Sequence, residues 1–486
     1  MKEINVYRKT ILQQCHFFIL FVLVTTTLLE AQITFERTYG DENVDFGYVV
    51  EQTTDGGYIV AGLKSEPGPN MQYVVKTDSF GDTLWTQLYP GIGIDEPTST
   101  AKQTLGGGYV FTGGIWSDIN RTYDVSLVKA DSIGNMLWLK TYGGGGEDWA
   151  HAIEVTPDSG FIMTGTTRSY GAGFYDVYLI RTDMAGDTMW TRTYGGGGSD
   201  AGLSVRNTPE GGFIVTGWSD SFGVGGVCLL KTDSLGNAQW ARTYGGSGGW
   251  SVQCTPDGGY VVAGGTNPYG PDPGDVYMIK VDSLGDTLWT RTYGGSGNDH
   301  GFAVDVTTDG GYVITGYTSS YGGVYLIKTD SSGDEMWTRT YGGYYGSSIH
   351  QTPDGGYIIA GTKSCSGTGD DFYLIKTDTL GFIGIVEDDQ GNIFEQPSYS
   401  QCFPNPCHLR TSIQYSIPEN TYVEIEIYDV QGKLVRLLVS ETKSAGRHAI
   451  EWDGRDGENA VVPGGVYFYR LQTDRHEITE KIVLLK

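Results

Sequence analysis

A long phrase recurs along this chain, and no other feature restricts its fold as strongly. The unit opens with T-x-D-G-G-Y-x-V-x-G, passes a variable loop, and continues as V-Y-L-I-K-T-D-S-x-G-D-x-x-W-T-R-T-Y-G-G. Its first aromatic falls at Tyr58, Tyr109, Phe161, Phe213, Tyr260, Tyr312 and Tyr357. A period of roughly 50 residues is that of propeller blades, in which each unit buries its apolar faces against its neighbours. The DGG and TDSxGD segments supply the glycine and aspartate of tight turns. Each unit therefore parses into four strands: A before DGG, B after it, C through VYLIKTD and D through LWTRTYG. Strands B and C are nearly continuous apolar runs, as a sheet buried on both faces requires.

The tryptophan of the D phrase stands at Trp85, Trp138, Trp190, Trp240, Trp289 and Trp337, six positions against seven for the aromatic. The seventh unit runs instead into KTDTLGFIGIVEDD, whereas residues 33–40, ITFERTYG, carry Phe35 in the tryptophan's place. A ring accounts for both facts, because the N-terminal strand then completes the last blade and leaves no open edge between last and first. The expected fold is all-β: a seven-bladed β-propeller of four-stranded blades over 32–386, closed by its N-terminal strand, a polar linker over 387–401, and a small Ig-like sandwich over 402–486.

Recurrence also separates scaffold from site. A residue present in every unit answers to the needs of a blade, while a ligand meets residues that break the pattern. The cation before the C–D turn (Lys76, Lys129, Arg181, Lys231, Lys280, Lys328, Lys376) and the aspartate two places on (Asp78, Asp131, Asp183, Asp233, Asp282, Asp330, Asp378) recur in every unit. These aspartates are expected to cap their turns through hydrogen bonds to backbone NH groups.

With 58 acidic against 32 basic residues the formal net charge is −26, which argues against nucleic acid as a partner, since phosphate binding needs clustered Lys and Arg. Residues 1–31 have the form of a signal peptide: Lys2, Arg8 and Lys9 precede the apolar run 17–24, and Ala31 offers a small residue for cleavage. The threonines at 25–27 cut that run short of the about 20 apolar residues of a spanning helix. A secreted or outer cell-surface location is expected, with no integral membrane segment after signal removal. Beyond the leader, Cys228, Cys254, Cys365, Cys402 and Cys407 show no CxxC pair and no zinc spacing. Cys402 and Cys407 flank FPNP and are candidates for a disulfide, whereas Cys228 and Cys254 fall in expected strands as packing residues.

After Val386 the pattern changes. Strict alternation in YVEIEIYDV (422–430), a QG turn, and the further strands HAIEWDG, GVYFYRL and EKIVLLK indicate half-buried hairpins. Residues 33–386 resemble the secreted bacterial seven-bladed β-propeller repeats, through phrases such as those at 293–299 and 309–319. The C-terminal segment resembles the sorting domain of type IX secretion substrates and is similar to the immunoglobulin-like domain of flagellar hook-capping proteins. FPNP (403–406), IYDVQGKLV (427–435), WDGRDGENAVVPGGVYFYRL (452–471) and the terminal KIVLLK carry that likeness, with Cys407 where the usual motif has phenylalanine. The resemblance implies that an outer-membrane secretion translocon reads this domain.

No Ser-His-Asp order, HExxH or nucleotide loop is present, so a non-catalytic protein without a cofactor is expected. GGSGND leads into a strand, not into the helix whose NH groups hold a phosphate. The D-to-A links and B-to-C loops share one face of a propeller. That face carries Trp116, Trp149, Tyr170, Trp218, Trp250, Tyr269, Tyr321 and Tyr345, with Asp148, Asp200 and Asp299 among them. Aromatic platforms beside carboxylates suit a sugar ring, so Trp116, Trp149, Trp218, Trp250, Tyr269, Asp148, Asp200 and Asp299 are the candidate ligand-binding residues, for a surface glycan, another polymer or a protein. The same aromatics also serve to pack loops and pore. A glycoside hydrolase or polysaccharide lyase is the alternative, and a hydrolase needs two carboxylates about 5 to 10 Å apart. Calcium at the acidic links is the weaker alternative for those aspartates. His151, His300 and His350 begin A strands at unequal offsets, which speaks against a metal held by all three.

Overall fold

The computed structural model describes residues 33–41, 43–65, 71–90, 100–266, 274–365 and 369–383, and beyond them 386–387, 393–394, 399–403, 407, 410–417, 420–444, 446–473 and 477–485. The expected signal peptide, Tyr269 and most of the expected linker lie outside the described residues. Among the described residues no helix is long and apolar enough to cross a membrane.

Seven four-stranded antiparallel sheets follow the repeat. Blade 3 is typical: strand A is Asp148–Val155, B is Phe161–Thr167, C is Asp176–Thr182 and D is Thr188–Tyr194, paired in sequence order. B and C are buried along their whole length, whereas D is half-exposed at the perimeter. In the seventh sheet the outer strand is Phe35–Tyr39, which pairs with Gly369–Thr377 so that Phe35 lies opposite Lys376. Trp289 lies opposite Lys280 in the same way, so Phe35 takes the tryptophan's register as well as its place in the sequence.

Apolar clusters lie between blades rather than at one centre. One of them joins Met278 and Tyr293 of blade 5 to Val304, Tyr312 and Tyr325 of blade 6. Each D strand docks on the next blade by two contacts. Its tryptophan, or Phe35, packs against the first aromatic of the following blade, with ring centroids 5.8 to 6.4 Å apart around the whole circle. The tyrosine of RTYG donates its hydroxyl to the carbonyl of the glycine in the following C–D turn: Tyr39 to Gly81, Tyr89 to Gly134, Tyr142 to Gly186, Tyr194 to Gly236, Tyr244 to Gly285, Tyr293 to Gly333 and Tyr341 to Gly381. The glycine is required twice over. At Gly333, φ is +76°, and a Cβ there would meet the Trp289 ring at 2.7 Å.

The aspartates after the cation cap their turns as expected. Asp282 Oδ1 accepts from the NH groups of Leu284 and Asp286, both at 2.9 Å, and the pattern holds in all seven blades. The cation itself pairs with the acid of the DGG turn, for example Lys280 Nζ with Asp257 Oδ2 at 2.8 Å and Lys328 with Asp309 Oδ2 at 2.9 Å. Blade 2 has Gly106 where the others have this acid, and Lys129 instead donates to the Met184 carbonyl and lies over the Trp138 and Phe161 rings.

The C-terminal strands form a three-stranded sheet (Tyr399–Phe403, Thr411–Ile417, Gly446–Trp452) and a four-stranded sheet in the order Leu434–Lys443, Thr421–Asp429, Gly465–Thr473, Glu477–Leu484. Trp452, Ile425, Tyr469 and Ile482 belong to their shared core. Cys407 corrects the disulfide expectation. It is a free thiol, 1% exposed, inside that core, where burial pushes it above the usual thiol range.

The turn geometry gives two expected outcomes. Tyr293→Phe costs about 1 kcal/mol in denaturant unfolding, the loss of one buried hydrogen bond. Gly333→Ala costs more than Gly310→Ala, because both have positive φ but only Gly333 meets a ring. Burial opposes ionisation of Asp257, but hydrogen bonds from Lys280, Thr255 and the Gly259 NH outweigh it and hold the carboxyl down at about 2. A depressed carboxyl stabilises the fold above its unfolded value of 3.8 and loses that effect as pH falls towards 2. Melting temperature is therefore expected to fall across that window, and to fall less in Asp257→Asn.

Candidate functional site in the central channel

The seven A strands ring a channel, and three layers of side chains face it. Six A strands carry a β-bulge after a small residue, at Gly47, Ala150, Gly202, Gly249, Gly301 and Gly346, whereas the equivalent position of blade 2 lies outside the described residues, which begin there at Thr100. The residue pushed out by the bulge is Tyr48, His151, Leu203, Trp250, Phe302 and Ser347 in turn. All six line one cavity of about 100 Å³, which runs from the middle of the A strands towards their DGG-turn ends.

The next layer is small: Val49, Ala152, Ser204, Ser251, Ala303 and Ser348. Below it stand Glu51, Lys102, Glu154, Arg206, Gln253, Asp305 and His350, each opposite the residue that follows the blade's first aromatic. Their identities change from blade to blade so that opposite charges meet. Glu154 lies 3.4 Å from Lys102 and 3.1 Å from Arg206, and Arg206 Nε donates to Gln253 Oε1 at 3.1 Å. His350 Nδ1 is 3.6 Å from Asp305 Oδ2. Burial raises the Glu51 carboxyl above its ordinary range, with Lys102 and His350 opposing. Burial also acts on Asp305, but the His350 contact and the Gln351 and Val306 NH groups bring it below that range.

Within the upper layer, Trp250 meets Phe302 edge to face at 5.6 Å and 84°, and Phe302 meets Tyr345 at 5.9 Å. His151 is 8% exposed, and its Nδ1 has no hydrogen-bond partner. Burial alone lowers its pKa to about 4, so the imidazole is neutral near pH 7.

Of the described candidate ligand-binding residues read from the sequence, Trp250 alone lines this cavity. Trp149 is 8% exposed and packs on Tyr123 at 4.3 Å, and Trp116, 48% exposed, meets the same Tyr123 at 5.2 Å. These three form a separate aromatic cluster across blades 2 and 3. Trp218 is half-buried, packed over Gly248. Tyr170 and Tyr321 donate to the carbonyls of Gly143 and Gly294, equivalent places in two blade junctions.

Asp148, Asp200 and Asp299 are fully buried, which corrects their placement on an open ligand surface. Asp148 accepts from the Thr167 hydroxyl, from Ser169 Oγ at 2.6 Å and from the Gly144 NH at 2.9 Å. Asp200 and Asp299 accept from Ser221 and Ser320 and from the Gly196 and Gly295 NH groups in the same manner. Each also shares its junction glycine with a carboxylate at the start of the preceding C strand, Asp124, Asp176 or Asp275. Asp371 and Asp45 form a fourth such pair at Gly40, where Lys64 lies 3.2 Å from Asp45. Where the C strand starts with Gly226 or Gly323, the next blade has Ser247 or Tyr344 in the aspartate's place. At the six described junctions the two carboxylates are kept or lost together, so they serve the junction. Among the described residues no three or more His, Cys, Asp or Glu side chains stand together as a metal site would need.

The bulge residues His151, Tyr48, Leu203, Phe302 and Ser347 were not singled out from sequence as one layer, although the small residue before each was a usable mark. An expected outcome follows from the buried imidazole: in NMR titration of the full chain, His151 keeps a neutral-ring signature down to about pH 4, well below an exposed histidine.

Residues 410–477 match the family model of the FlgD Ig-like domain. No curated protein matches the sequence. Among solved structures, U3-55K is similar with a TM-score of 0.50 and 11% identity, over 70% of this chain and 98% of that one. The WD40 β-propeller domain of Doa1 is similar at 0.44 and 14%, over 69% and 94%. PorZ of Porphyromonas gingivalis, described as an essential bacterial surface component of the type-IX secretion system, is similar at 0.45 and 13%, over 92% of this chain. The chain spans 60% of the length of PorZ. At these identities the likeness is one of fold.

Proposed function

We propose that this protein is a non-catalytic binding propeller, exported and held at or beyond the outer cell surface, which takes a glycan or similar polymer at its central channel. The observation that carries this reading is the upper channel layer, where the scaffold stops repeating and Tyr48, Trp250 and Phe302 surround a cavity beside an unpartnered His151. Aromatic faces with a few convergent polar groups are the usual composition of a sugar or small-ligand site. The hydrolase alternative needs two carboxylates facing one cavity. Asp148, Asp200 and Asp299 instead direct theirs to hydroxyl and backbone donors within the blade junctions, and of the channel carboxylates Glu154 meets Lys102 and Arg206, Asp305 meets His350 and Glu51 accepts from the Gln103 NH, which favours the binding reading.

Export is proposed on the leader-like residues 1–31 and on the C-terminal resemblance, with the FlgD Ig-like match over 410–477 in support. In this reading the secretion translocon is the partner of the C-terminal domain, and type IX secretion is the route.

Binding is tested by screening the full chain against immobilised glycans and bacterial surface polysaccharides. Retention on at least one saccharide is expected, unchanged in Trp116→Ala and weakened in Trp250→Ala. Retention on none of them, with the protein folded, removes the glycan reading. Export is tested by deleting 402–486, which is expected to leave the propeller inside the cell envelope.

A further inference from the structure

We infer that the glycan is an acidic one: the channel takes a sugar ring that bears a singly charged oxyanion, a carboxylate or a sulfate ester, an inference that rests on the glycan-binding reading above. Towards the DGG-turn ends of the A strands, Lys102, Arg206, Gln253 and His350 line the cavity, and no carboxylate does. The three acids of the same layer are turned to other partners. Glu154 meets Lys102 and Arg206, Glu51 accepts from the Gln103 NH at 3.1 Å, and Asp305 accepts from the NH groups of Gln351 and Val306, both at 3.0 Å. Glu154 is thus shared between two cations, and charge-assisted hydrogen bonds to one further oxyanion complete the set.

The neutral groups beside these cations are donors as well. Gln253 Oε1 accepts from Arg206 Nε at 3.1 Å, which leaves the amide NH2 to give. Ser204 Oγ accepts from the Val252 NH at 3.4 Å and Ser251 Oγ from the Val304 NH at 3.3 Å, so each hydroxyl keeps its proton for a ligand. Ser204 and Arg206 stand two places apart on one A strand, as Ser251 and Gln253 do on the next, and each pair shares a strand face. Two hydroxyls, an amide and a guanidinium from adjacent blades therefore line one cavity. A group that only accepts hydrogen bonds, and does so through several lone pairs, matches that set better than a sugar hydroxyl, which must also donate.

Burial sets the direction. All seven residues of the polar layer are half-buried, whereas Val49, Ala152, Ser204, Ser251, Ala303 and Ser348 of the small layer are buried. The anion accordingly sits nearer the solvent at the DGG-turn ends, and its ring lies beyond it against Trp250, Phe302 and Leu203. His151, buried with Nδ1 unpartnered, meets a ring hydroxyl there. At about 10 to 15 Å³ for each water-sized position, a cavity of about 100 Å³ accepts on the order of seven to ten atoms, a carboxylate and most of the ring that bears it. The chain's net charge of −26 opposes the approach of an anion, but physiological salt screens that field beyond about 8 Å. The acids of the DGG turns, in the six blades that have one, are already paired with the C-strand cations.

The test is calorimetric titration of the full chain with the hexamers of galacturonic and mannuronic acid against their methyl esters, and with the κ-carrageenan hexamer against its desulfated form. At least one acidic hexamer is expected to bind at a single site, about tenfold or more tighter than its uncharged counterpart, the effect of one or more hydrogen bonds to a charged group. Whether the carboxylate or the sulfate arm binds identifies the anion. Gln253→Glu keeps an oxygen for Arg206 Nε and places a carboxylate on the cavity wall. It is expected to weaken the acidic hexamer about tenfold or more and to leave any neutral binding unchanged, with Lys102→Gln acting in the same direction. Trp250→Ala is expected to weaken acidic and neutral saccharides alike. Neutral forms that bind as tightly as the acidic ones overturn the oxyanion subsite and leave the glycan-binding reading in place. Acidic binding that survives both Gln253→Glu and Lys102→Gln unchanged overturns it too, by placing the anion on another surface. Binding of no saccharide, acidic or neutral, by the folded protein overturns both this inference and the reading it rests on.

Discussion

The joint between one blade's outer strand and the next blade's turn is what the rest of this structure depends on. Four strands with two apolar faces have no stable existence alone, and a ring of seven such sheets holds only if each interface is specified in angle and height. The tryptophan sets the height by resting on a glycine that no other residue replaces without strain and collision. The tyrosine hydroxyl sets the angle through one hydrogen bond to that glycine's carbonyl, 2.6 Å from Tyr293 to Gly333 and closely similar elsewhere. Phe35 and Tyr39 bring the same pair of contacts to the closing blade, so the seam obeys the rule of every other junction.

Once the perimeter carries this load, the inner strands are free to differ. The positions that vary most between blades are the bulge residue and the polar position three places later, and both face the channel. In the lower layer the variation is constrained by charge. Glu51, Lys102, Glu154, Arg206, Gln253, Asp305 and His350 differ in kind, yet opposite charges and hydrogen-bonding groups fall beside one another. Buried charges are tolerated when paired, and one wrong sign here leaves a neighbour uncompensated. Blade order is thus written into the polar layer of the channel. The upper layer has no such obligation, and there aromatic side chains and an unpartnered histidine collect.

Two readings from sequence went astray for a physical reason. Asp148, Asp200 and Asp299 looked like departures from the repeat because other units lack them. They follow a second regularity, the presence of Asp124, Asp176 or Asp275 at the start of the preceding C strand, about 25 residues earlier and visible only when both carboxylates are seen to share one glycine. Trp116 and Trp149 likewise break the repeat, but they do so against Tyr123 rather than towards a cavity. Departure from a repeat marks freedom from the scaffold, and freedom alone does not say which way a side chain points.

The sequence by itself determined the blade count, the strand order, the closing strand and the turn-capping aspartates, because each depends on local patterns that recur at fixed spacing. It also marked the C-terminal module through alternation, which a half-buried sheet requires. Tertiary structure alone decided that Trp250 and His151 share a cavity while Trp149 lies packed in a junction, that the cation of each C strand pairs with the acid of its own DGG turn, and that Cys407 is a free thiol in an apolar core. The reason is the bulge. One extra residue in six of the A strands turns a side chain from the sheet into the channel, and it follows a small residue packed on the neighbouring blade, as Gly202 is beside Thr164, where a Cβ would collide.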